Sequence, residues 1–100
     1  MISTLLTALI SLTLSTHNCY APCSIKLTVK LQDPTQVREV CIHLDGEDME
    51  RHSCWPPSSK TIETHISNIS AGTYRVWADM TLAGGDTAKT DRQALHVLGE

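Results

Sequence analysis

Apolar and polar positions alternate with a period of two through most of the chain. In residues 24–31, Ile25, Leu27, Val29 and Leu31 share one face while Lys26, Thr28 and Lys30 share the other, the pattern of a half-buried strand. Pro34 interrupts it, because proline has no N–H to give to a ladder and restricts the residue before it. Alternation resumes over residues 37–44, with Val40, Ile42 and Leu44 inward and Glu39, Cys41 and His43 outward. Asp45-Gly46 reads as a turn, residues 50–55 as a third strand, and Pro56-Pro57-Ser58-Ser59 as its end. A fourth strand covers residues 61–66, with Ile62, Thr64 and Ile66 on one face, and residues 68–72 turn the chain. The strongest run follows at 73–82, where Tyr74, Val76, Ala78, Met80 and Leu82 oppose Arg75, Trp77 and Asp79. Gly84-Gly85 signals a hairpin into a last segment, residues 87–98. Thr90 or Asp91 could cap a short helix there, but a strand supplies the fifth strand with an antiparallel neighbour and is the expected form. The pattern predicts an all-β sandwich or barrel of about six to seven antiparallel strands.

The N-terminal stretch reads differently. Residues 1–16 carry no charged side chain, and the apolar part from Leu5 to Leu14 has the length of a signal-peptide core but not of a spanning helix. The expectation is therefore an export segment over residues 1–21, cleaved after Ala21, and a folded domain over 22–100, secreted or periplasmic and free of the membrane once the signal is removed. Eight Lys and Arg against eleven Asp and Glu give a formal charge of −3, which provides no broad cationic field for nucleic acid.

Four cysteines stand at 19, 23, 41 and 54, and cleavage after Ala21 would leave three, one of them free for an intermolecular disulfide or dimer. If the hairpin pairs Leu44 with Arg51, then His43 faces His52 and Cys41 faces Cys54, a geometry suited to a cross-strand disulfide. Cys23 paired with Cys41 or Cys54 is the other arrangement. The same register places Cys41, His43, His52 and Cys54 on one face, which has the ligand types of a zinc or copper site. Flat strands hold such ligands far apart, however, so the disulfide is the expected use and no cofactor is expected. Cys54 with His52 or His65 is a conceivable nucleophile pair, and Asp45, Glu47, Asp48 and Glu50 conceivable acid–base or calcium groups. No phosphate loop, nucleophile elbow or zinc-protease motif accompanies them, so a non-catalytic protein is expected. Asn68-Ile69-Ser70 is a formal N-glycosylation acceptor. Trp77, flanked by Arg75 and Asp79 on the outer face of its strand, is a candidate partner anchor, and Lys26 and Lys30 on another strand suit an acidic ligand.

Over residues 24–98, the Leu44-Asp45-Gly46 turn, Trp55 opening a loop, the run Ser70-Ala71-Gly72-Thr73-Tyr74 and the terminal Ala94-Leu95-His96-Val97-Leu98 resemble the immunoglobulin-like modules of bacterial surface and secreted proteins. The resemblance implies a small immunoglobulin-like β-sandwich, with Trp55 near the core and Gly72-Thr73-Tyr74 opening the strand equivalent to F. It also implies a binding or structural role toward an extracellular protein or carbohydrate, with no shared catalytic residues. The alternatives are a secreted effector or inhibitor that docks through residues 45–52 or 56–60, and a small metal-binding or redox protein using the Cys/His hairpin face.

Overall fold

The period-two stripes become nine strands in a computed structural model that describes residues 9–99. They are β1 (Ile10–Leu14), β2 (Asn18–Tyr20), β3 (Cys23–Leu31), β4 (Val37–Gly46), β5 (Glu50–Trp55), β6 (Thr61–Ile69), β7 (Gly72–Leu82), β8 (Thr87–Lys89) and β9 (Gln93–Leu98). A 3-10 turn at Pro34–Gln36 joins β3 to β4, with the Asp33 carboxylate accepting the Thr35 N–H. One sheet has the order β1-β3-β6; the other runs β2-β9-β7-β4-β5, with β8 also on β7. The inner stripes of the two sheets, including Ile25, Leu27 and Val29 on one side and Val40, Leu44, Val76 and Leu95 on the other, form one buried cluster. Among the described residues no polar or charged residue is buried in it. The all-β class and two-layer arrangement follow the expectation, with more strands than the six or seven foreseen and one parallel pair, β2 with β9.

Within the segment that the sequence reading assigns to export, residues 10–14 and 18–20 are strands, one in each sheet. The reason lies in their own alternation. Ile10, Leu12 and Leu14 point inward between outward Ser11 and Thr13, and pair across the ladder with Leu31, Val29 and Leu27. An apolar run of this length suits a buried strand as well as a signal core. The rest of that segment, residues 1–8, lies outside the described residues. With β2 in the fold, Cys19 reaches Cys23 at a Cα separation of 6.0 Å. Cys19 belongs to the larger sheet and Cys23 opens β3 of the smaller, so this disulfide ties the sheets where the chain crosses between them. With Cys19 present all four cysteines are paired.

Three smaller differences have local causes. Asp45-Gly46 is not the turn; β4 continues through it, and the chain reverses at residues 47–49, closed by the Gly46 N–H bonding to Met49 O at 2.9 Å. Gly46 lies opposite Tyr74, and a Cβ there would run into the Tyr74 ring, so glycine serves close packing rather than a bend. The fourth strand extends to Ile69 because Asn68 takes a left-handed φ of 59°, a conformation asparagine tolerates, and Ile69 returns to the core. Residues 87–98 are strand, as expected, but split in two. Thr90 donates its N–H to Ala78 O and accepts the Ala78 N–H on Oγ1, which holds the break against β7.

A chain beginning at Pro22 lacks three buried aliphatic side chains, each stabilising by about 1.5–3 kcal/mol, and also the partner of Cys23. That loss is of the order of a whole small domain's stability. Urea unfolding followed by far-ultraviolet circular dichroism should therefore show no cooperative transition for the shortened chain. An unchanged midpoint would remove β1 from the core.

Candidate binding site on the outer face of the larger sheet

Because β4 turns Val40, Ile42 and Leu44 to the core, Glu39, Cys41, His43 and Asp45 must face outward. The register then arranges outward side chains in rows across β5, β4 and β7. Glu50, Asp45 and Arg75 form one row, His52, His43 and Trp77 the next, and Cys54, Cys41 and Asp79 a third that Lys89 of β8 extends. Cys41 and Cys54 form a disulfide at a Cα separation of 4.1 Å, as the hairpin register predicts. Both sulfurs are thereby committed, so neither serves as a thiolate ligand or nucleophile. The four-ligand Cys/His site and the Cys54 nucleophile pairs drop out for that reason.

His43 is the hub of the middle row. Its Nε2 lies 2.8 Å from Asp79 Oδ2, and its Nδ1 lies 2.7 Å from His52 Nδ1. A carboxylate only accepts, so in the neutral ring the His43 hydrogen sits on Nε2 and Nδ1 presents a lone pair. The hydrogen between the two rings therefore belongs to His52 Nδ1. The other nitrogen of His52 faces Glu50 Oε1 at 3.7 Å. The result is a chain of four polar groups, Asp79–His43–His52–Glu50, least exposed at His43 and more exposed from there toward the β5 edge: the His43 side chain is 18% exposed and that of His52 48%.

On its other side His43 stacks on Trp77, with ring centroids 5.0 Å apart and planes 23° from parallel. The Arg92 guanidinium lies 4.5 Å from the centroid of the Trp77 ring, within cation–π range. His43 comes from β4 and Arg92 from the β8–β9 link, elements that flank β7 on opposite sides. Trp77 is thus held between them, half-buried on a face remote from the core.

The structure joins two groups that the sequence reading kept apart, the Cys/His hairpin face and the Trp77 triplet, because β4 pairs with β7 as well as with β5. Arg75 remains exposed one row away, whereas Asp79 is engaged by His43. Arg92 was missed; it lies in the break between β8 and β9, and no periodicity marks it. Lys26 and Lys30 belong to β3, in the other sheet, so they do not add charge to this face; Lys26 reaches Glu63 at 4.0 Å. Asn68 is exposed on β6, also in the smaller sheet. Asp45 and Glu50 are opposed strand residues, with Glu47 and Asp48 in the turn between them. A cleft of about 760 Å³ opens where the described chain begins, lined by Leu9, Asp33, Lys60 and Leu82 among others, and holds none of these residues. No protein-family model and no curated protein matches the chain.

The Cys41–Cys54 bridge spans 13 positions, for which the chain-entropy relation gives about 3 kcal/mol. Replacing both cysteines by Ala should lower the unfolding free energy by about 3 kcal/mol, seen as a lower guanidinium midpoint with a slope that does not fall, because the unfolded chain loses its cross-link. An unchanged midpoint would show that the bridge does not hold the register.

Proposed function

We propose that this chain is a secreted, non-catalytic binding module of immunoglobulin-like form, and that it recognises an extracellular protein through the outer face of its larger sheet. Two disulfides in a small domain support an oxidising compartment. Two features support the immunoglobulin-like reading. The order β9-β7-β4-β5 has the connectivity of strands G, F, C and C′ facing a second sheet that holds A, B and E. Near the start of β7, the Tyr74 hydroxyl donates to Ser70 O at 2.7 Å, the geometry of a tyrosine corner.

The observation that carries the functional reading is Trp77 on the outer face, clasped by His43 and Arg92. The core makes no use of that face. A large aromatic there, held in one orientation and ringed by charged groups of both signs, has the make-up of an interface anchor. Its two flat surfaces are already taken, so its edge is what it offers. This favours a protein over a carbohydrate, since a sugar ring would stack on an open aromatic face.

A photoactivatable cross-linker at Arg75, in the fluid into which the chain is released, should yield a protein adduct that the same group at Lys26 does not. Trp77→Ala should weaken binding of the captured partner by about 30-fold, the effect of an anchor contributing about 2 kcal/mol. Equal adducts at both positions, or a partner that ignores Trp77, would overturn the assignment.

A further inference from the structure

We propose that His43 and His52 form a binding site for a divalent transition-metal ion, copper(II) before zinc(II), with Asp79 holding His43 in the ligating tautomer. Asp79 accepts the Nε2 hydrogen of His43 at 2.8 Å, which leaves the Nδ1 lone pair aimed at the other ring. This is the carboxylate–histidine arrangement that orients imidazole ligands in metalloproteins. His52 Nδ1 faces that lone pair at 2.7 Å, so a single proton occupies the space between two ligand nitrogens. A metal ion replaces that proton: two Nδ1–metal bonds form, the His52 Nδ1–H bond breaks, and solvent returns the proton to His52 Nε2 beside Glu50, so that the ring ligates as neutral imidazole.

The spacing selects the metal. Two imidazole nitrogens each about 2.0–2.1 Å from the ion lie about 2.9 Å apart at a right angle and about 3.3 Å apart at the tetrahedral angle. The first needs the nitrogens to part by only about 0.2 Å, with the rings turning by about 45° so that their lone pairs meet at an ion off the N–N line, and is the cis pair of a tetragonal site, which suits copper(II) or nickel(II), copper(II) binding more tightly. His52 is on the exposed edge strand β5, so its ring has room for that adjustment and leaves further positions open to water or an external donor. Asp79 at 2.8 Å from His43 and Glu50 at 3.7 Å from His52 place negative charge beside the pair of rings, which favours a cation there. The disulfide removes thiolate competition at the adjoining row.

Trp77, stacked on His43, is a built-in reporter, because bound copper(II) quenches a nearby indole. Titrating the oxidised full chain with copper(II) should quench Trp fluorescence with one-to-one saturation, and electron paramagnetic resonance should show a tetragonal centre with two imidazole nitrogens. His52→Ala, which removes an exposed side chain from an edge strand, should abolish both signals. Asp79→Ala should weaken binding by about 10–100-fold, and His65→Ala on β6 should change nothing. Zinc(II) should bind more weakly than copper(II). Absence of saturable binding, or copper(II) binding that survives His52→Ala, would overturn the proposal.

Discussion

The placement of β4 between β5 and β7 is the constraint on which both the core and the outer face depend. A strand has a side-chain period of two, so a slip of one residue would send Val40, Ile42 and Leu44 to solvent and bring Cys41 and His43 inside. Burial of the apolar stripe opposes such a slip on one face, and the Cys41–Cys54 bond opposes it covalently on the other. Tyr74 over Gly46 adds a third restraint at the end of the β4–β7 ladder, where only a residue without a side chain admits the ring. With the register set this way, His43 has no choice of neighbours. It meets His52 on one side and Trp77 on the other.

The two disulfides do different work in a domain of this size. Cys41–Cys54 lies within one sheet, on its outer surface, and stabilises a hairpin that already has a matched ladder. Cys19–Cys23 spans only four positions, so its effect on unfolded-chain entropy is the smaller, about 2 kcal/mol. Its structural consequence is larger, because it joins the sheets at the crossing from β2 to β3 and buries Cys23. A small two-layer core needs such links, since the fraction of surface it can bury is limited.

Alternation alone made most of the strands legible, and the β4–β5 hairpin was legible to the residue: pairing Leu44 with Arg51 brings Cys41 to Cys54 and His43 to His52. What the sequence could not specify was the non-local pairing. Nothing in the order of residues says that β7 lies against β4 with Trp77 beside His43, so the hairpin face and the tryptophan face read as separate features. The cation–π contact of Arg92 with Trp77 was hidden for the same reason. Ile10, Leu12 and Leu14 posed a different difficulty, because an uncharged apolar stretch of that length suits a signal core as well as a buried strand, and its pairing with β3 is again non-local.

The outer face draws its character from that register, with the Trp77 indole and two titratable groups, His52 and Asp79, brought into contact with a single half-buried imidazole. Nuclear Overhauser contacts from the His43 ring test it most directly. Contacts to both the His52 ring and the Trp77 indole are expected, with none to the inward side chains of Val40 or Val76. Contacts from His43 to core side chains, or to only one of the two rings, would contradict the register and with it the site.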